Sequence, residues 1–135
     1  DEMLLVALVH DLGKVLLLTD EAPENVVCIN RPVKVGAPDC GLARCVFPWP
    51  PEAWAWSRLK DHLPDELGWL VRYHSMLPGS CVQYMDARDL DYCRRLFKPF
   101  SRYDQGTKSP FNVPSRRIGR YRALVERALP SKMTF

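Results

Sequence analysis

No apolar run in the sequence approaches the roughly 18 consecutive residues of a membrane-spanning helix. Asp11 and Lys14 interrupt the best candidate, so no transmembrane segment is expected. CxxC pairs are also missing. The five cysteines, Cys28, Cys40, Cys45, Cys81 and Cys93, are odd in number and scattered, which argues against a zinc finger or a disulfide framework. Buried free thiols in a reducing compartment are the expectation. A strong charge of one sign is lacking too. The net charge is +3, and the excess lies late, in Arg116, Arg117, Arg120, Arg122 and Arg127. Arginines spread through one helix read as a solvated face or a protein contact, so no nucleic-acid partner is expected. The chain has no internal repeat, no low-complexity tract and no convincing pair of strands. No signal peptide can be read, and the first residue is not Met. Because the chain opens directly on a helix-like segment, an N-terminal portion is expected to be absent, together with any targeting sequence it carried.

What is present is a chain of 135 residues with the composition of an ordinary globular protein, enough for one domain over residues 1–135 around a single core. Met3 to Leu18 reads as a buried helix, with Asp1 and Glu2 where a helix N-terminus favours negative charge. Asp20 to Pro51 carries eight Pro or Gly residues and reads as loop, with a short extended piece at Asn25 to Ile29. Helical character resumes at Glu52 to His62 and, after Pro64, at Asp65 to Leu77, which Pro78-Gly79 should stop. Asp86 is a fitting N-cap for Ala87 to Phe97. Pro99 to Pro114 reads as loop, and Ser115 should cap a last helix to Leu129, with Ile118, Tyr121, Leu124, Val125 and Leu129 as its apolar stripe. The expected class is all-α, five helices joined by long Pro-rich connections.

The stretch LVHDLGKV sets His10, Asp11 and Lys14 inside an apolar segment. Adjacent His and Asp on one helix can both turn toward a metal, and a carboxylate can bridge two ions. The same residues can instead bond one another and Lys14 as a satisfied buried network with no metal. His74, near a helix C-terminus, has the same two readings, ligand or core histidine. His62, in DHLPDE, reads as exposed or capping. Trp49, Trp54, Trp56 and Trp69 read as core or interface anchors.

The segments LLVALVHDLGKVLLL, CGLARC, LPDELGWLVRYHSMLPG, LFKPFSRY with TK shortly after, and RYRALVERALPSKMTF, in that order, resemble inositol oxygenase. That family is a helical branch of the HD-domain superfamily, and the resemblance covers nearly the whole chain. It implies an HD-domain-like helical bundle and a mixed-valent di-iron centre that cleaves myo-inositol with oxygen to glucuronate. The family's centre takes four histidines and two aspartates. The resemblance places its His-Asp pair on His10 and Asp11, with Asp11 as the bridging carboxylate, and a later histidine on His74. One histidine falls upstream of the present first residue. Another, expected just after Trp49, meets Pro50-Pro51-Glu52, and the last aspartate meets Ser101, with Asp104 three residues away as a replacement. Lys14, Ser75 and Lys108 match positions that contact inositol. An aspartate-bearing turn of the family is replaced by Cys28-Ile29, and the connection from Pro32 to Cys40 is shorter than the family's, which would open the site.

The missing ligands, the shortened cover and the altered turn lead to the expectation of a non-catalytic inositol-oxygenase-like protein. It would serve as a structural or accessory subunit among other protein subunits of a larger assembly and would hold no cofactor. The alternative is a working oxygenase with two irons, in which His10, Asp11, His74 and Asp104 ligate and Lys14, Ser75 and Lys108 handle myo-inositol. An HD-type phosphohydrolase is a third and weaker expectation. The resemblance implies a cytoplasmic enzyme, whereas an assembly subunit could be organellar, for example mitochondrial.

Overall fold

The structure is a computed structural model and describes residues 1–26, 31–47, 51–106 and 115–131. It is all-α. Among the described residues the only β pairing is an isolated antiparallel bridge between Lys34 and Val46. The described residues form seven α-helices: α1 (Glu2–Val9), α2 (Pro51–Leu59), α3 (Asp65–Tyr73), α4 (Pro78–Cys81), α5 (Ala87–Tyr92), α6 (Lys98–Gly106) and α7 (Ser115–Ala128). None is long and apolar enough to cross a membrane.

Helix α3 is the centre of the packing. Asp65 and Glu66 in its first turn suit the positive end of the helix dipole, and Leu67, Leu70 and Val71 are buried. It packs against α1, α2 and α5, while α1 also touches α6 and α7. The shared core includes Leu5, Val6, Ala55, Leu59, Leu70, Phe97 and Phe100. Helix α7 is held mainly by Leu124, and its Arg120 and Arg127 reach Asp1 at 3.3 and 3.8 Å. Those exposed pairs stabilise little. They do show Arg120 and Arg127 as solvated side chains paired with Asp1, just before α1.

Several elements differ from expectation. The first helix is not continuous from Met3 to Leu18. It ends at Val9, and a 3₁₀ segment runs from Leu12 to Leu18. Asp11 sits at φ −92°, ψ 11°, between the helical and extended regions, and so breaks the rod. The second half is not buried either, since Leu18 is 85% exposed. Its path is fixed at Gly13, where a Cβ would meet the Pro51 carbonyl oxygen at 1.9 Å. Two backbones therefore cross in contact at this point. Helix α3 stops at Tyr73 rather than Leu77, and Pro78-Gly79 opens the short α4 instead of only ending a helix.

The expected loop at Pro99 is helix as far as Gly106. A π turn over Cys93–Phe97 joins α5 to α6, and Lys98 N–H bonds Cys93 O, five residues back. The wider turn leaves room for Pro99, which lacks a donor and would crowd the preceding turn of an ordinary helix. Asp86 caps α5 as expected, its Oδ1 accepting from Asp89 N–H at 2.9 Å. Asp89 itself was not anticipated: it is buried and accepts from Leu42 N–H at 2.6 Å and Trp69 Nε1–H at 2.7 Å. It fastens the connection before α2 to α3 and α5. Gly41, at φ +89°, makes the turn that aims Leu42 N–H at it. Cys45, Cys81 and Cys93 are buried free thiols and Cys40 is half-buried.

Candidate metal centre

Two histidines end two helices in the same way. His10 follows the last residue of α1 and His74 the last of α3. Each turns Nδ1 back to a carbonyl three residues earlier, His10 to Ala7 O at 3.0 Å and His74 to Val71 O at 2.8 Å. A carbonyl can only accept, so each Nδ1 carries the proton and each Nε2 presents its lone pair forward. This carbonyl-oriented imidazole is the arrangement that supports metal-ligating histidines. The rings stand edge to face with centroids 4.8 Å apart, and Phe100 of α6 lies edge-on to both, at 5.2 Å from His10 and 6.2 Å from His74.

Carboxylates surround the two Nε2 atoms. Asp11 places Oδ2 at 3.4 Å from His10 Nε2 and Oδ1 at 3.9 Å from His74 Nε2, one oxygen toward each ring. Asp104 Oδ1 lies 3.6 Å from His10 Nε2, and Glu52 Oε1 lies 4.0 Å from His74 Nε2. Most of these separations are too long for hydrogen bonds. They are close to the ~3.4 Å between two donors that sit about 2.1 Å from one tetrahedral ion. One donor atom each from His10, Asp11 and His74 all lie within 4.8 Å of one another. The residues therefore fit a metal by donor type, by imidazole orientation and by spacing.

Burial divides the site. The side chains of His74 and Glu52 are 4% and 2% exposed, whereas those of Asp11 and Lys14 are 42% and 47% exposed. Burial pushes the His74 imidazole below its ordinary range, His10 adds to this, and the Val71 hydrogen bond opposes it. The neutral imidazole needed for ligation is favoured in consequence. Lys14 Nζ donates to Asp11 Oδ2 at 2.7 Å, and Ser75 Oγ donates to Glu52 Oε1 at 2.5 Å.

The structure thus brings together His10, Asp11, His74, Lys14 and Ser75, and it puts Asp104 beside His10 through α6. Glu52, which borders the site, was not among the residues expected there. In PPEAWAW it reads as an ordinary acid in a helix's first turn, but it is buried beside the point where Pro51 meets Gly13. His62 is exposed, in agreement with expectation. Cys28, Ile29, Trp49 and Lys108 lie outside the described residues.

An all-α chain whose helix ends aim two imidazoles and a shared carboxylate at one point falls among proteins with a candidate His/Asp metal site. In sequence it is 26% identical to the inositol oxygenase of Rattus norvegicus over 170 residues, covering 97% of this chain and 59% of that protein. A distant relationship is supported. The matched length exceeds the 135 residues of this chain, so the relative carries segments that are missing here. The chain spans 59% of the length of the curated relative it matches. No protein-family model matches it.

Proposed function

We propose that this chain is an inositol-oxygenase-like protein that retains a metal-holding pocket without turnover and serves as a structural or accessory subunit of a larger protein assembly. One observation carries the reading. Lys14 and Ser75, which the resemblance assigns to the substrate, are bonded to Asp11 and Glu52 of the site's own carboxylate set. Groups held in this way do not await substrate hydroxyls. The exposed rim at Asp11 and Lys14 points in the same direction, because oxygen chemistry requires a site closed to water.

His10, Asp11 and His74 would hold the metal, with Asp104 beside His10. A bound ion would supply a cross-link among α1, α3 and the segment after α1, and its binding free energy would add to folding stability. The orientation of both Nε2 atoms supports this over the expectation of no cofactor. Exposed Leu17, Leu18, Val33 and Val46 offer apolar surface to partner chains. The compartment follows from the assembly, organellar or cytoplasmic. Purified from its native source, the protein should migrate well above the mass of one chain. Migration as a monomer would refute the accessory role.

The convergence of donors, including Asp104, also favours a second reading, a metal-dependent oxygenase acting on myo-inositol. In that case Lys14 and Ser75 release their carboxylates to bind hydroxyls of the substrate. Oxygen uptake with iron and reductant supplied separates the two readings. No myo-inositol-dependent uptake is expected, and uptake that follows inositol concentration would establish the oxygenase.

A further inference from the structure

Glu52 stands apart from the other acids of the site. Its side chain is 2% exposed at the N-terminus of α2, in the Pro50-Pro51-Glu52 segment where the resemblance implies a histidine ligand. Oε1 accepts from Ser75 Oγ and lies 4.0 Å from His74 Nε2. Oε2 is buried and finds no hydrogen-bond partner among the described residues. A carboxylate oxygen left bare in the interior is costly, and such a group persists where something else answers it. The Gly13–Pro51 contact, which no side chain at residue 13 could tolerate, holds the start of α2 against the segment carrying Asp11.

We infer that Glu52 is a metal ligand that replaces the missing histidine. Together with His10, His74 and Asp11 it forms a single-ion site of two imidazoles and two carboxylates for a divalent first-row transition metal. The inference rests on the metal-holding reading proposed above. Charge supports one ion rather than two. Among the described residues, three carboxylates (Asp11, Glu52 and Asp104) and one ammonium (Lys14) gather here, the charge balance of one divalent cation. Glu52 borders the His10, Asp11 and His74 group on the His74 side, 4.0 Å from Nε2 through Oε1, and Ser75 occupies that oxygen while Oε2 is left without a partner. A carboxylate in place of an imidazole makes the set harder, which favours manganese, iron(II), cobalt and zinc over copper(I).

The test uses protein stripped with chelator and titrated with Co²⁺ and Zn²⁺ by calorimetry, with the visible Co²⁺ spectrum as a second readout. Wild type should bind one ion per chain. Glu52→Gln should weaken binding at least tenfold and change the Co²⁺ spectrum, and Ser75→Ala should weaken it by less. Without metal, Glu52→Gln should be at least as stable as wild type, because a buried charge has been removed. A residue that only supported the fold would lower stability with or without metal. Wild-type binding that Glu52→Gln leaves unchanged overturns the inference while the metal-holding reading stands. If wild type binds neither ion, that reading falls and the inference with it. Should Glu52→Gln fail to fold, Glu52→Asp, which keeps the charge but withdraws it by one methylene, is read by the binding and spectral criteria alone.

Discussion

Replacing Gly13 with alanine tests whether the crossing of two backbones builds this site. The added Cβ would lie 1.9 Å from Pro51 O, 2.4 Å from its carbonyl carbon and 2.7 Å from its Cα. All three are main-chain atoms, so no side chain can rotate out of the way. The two segments would have to separate by roughly 1 Å, an overpacking at the upper end of the ~1–3 kcal/mol range. Alanine recovers at most about 1 kcal/mol from better helical propensity. The net loss should be about 2 kcal/mol or more, or roughly 5–10 °C in Tm for a chain of this size. Urea and thermal melts followed by circular dichroism measure it directly. Gly119→Ala is the control, since its Cβ meets nothing within 4 Å on α7 and should gain ~0.5–1 kcal/mol. The separation also carries Glu52 away from His74, so Gly13→Ala should weaken Co²⁺ binding about tenfold. A Gly13→Ala protein within about 0.5 kcal/mol of wild type would refute the close crossing and with it the account of how Glu52 comes to face inward.

Two other substitutions probe the supports around the site. Asp89→Asn should cost about 2–4 kcal/mol in urea melts, because an amide can accept from only one of Leu42 N–H and Trp69 Nε1–H while its own donors face the other. The tryptophan emission should shift with the loss, and a change below about 1 kcal/mol would show that Asp89 is not the hub described. Burial pushes the Tyr73 phenol up to about 12 from its ordinary 10.0, and its hydroxyl has no partner among the described residues. The unfolded phenol ionises first as pH rises, so its contribution is complete below pH 10 and is lost between pH 10 and 12, by roughly 3 kcal/mol. Tyr73→Phe should be nearly neutral at pH 7 and should flatten that alkaline loss. An unchanged alkaline slope would refute the assignment.

The class of fold and the grouping of His10, Asp11 and His74 were legible in the sequence, for reasons that differ from residue to residue. Runs of helix formers, the Asp86 cap and Pro-rich connections are local signals, and α2, α3, α5 and α7 formed where those signals stand. The break after Val9 left no such trace, because residues apolar on every side show no change of periodicity when the chain turns. Pro99 read as a loop because a proline normally ends a helix. What admits it is the π turn that precedes it; Phe97 at the end of that turn and Phe100 just after it are buried in the core. His10, Asp11 and His74 could be grouped through a family resemblance, which carries tertiary information that spacing alone lacks. Glu52 and Asp89 could not be, since an acid in the first turn of a helix is ordinarily a solvated one. Only contacts across 23 residues, from Ser75 to Glu52, and across 47, from Leu42 to Asp89, reveal their burial.

A π turn is also a one-residue step in helical phase. Each residue advances an α-helix by about 100°. With the step in place, α6 presents Phe100 and Asp104, one turn apart, to His10. A chain one residue shorter between Cys93 and Phe97 would swing both toward a neighbouring face and bring other residues of α6 to the histidines. Which acid stands by His10 is thus decided by length as well as by composition. Two sequences alike at every other position but differing by one residue there would carry different sites.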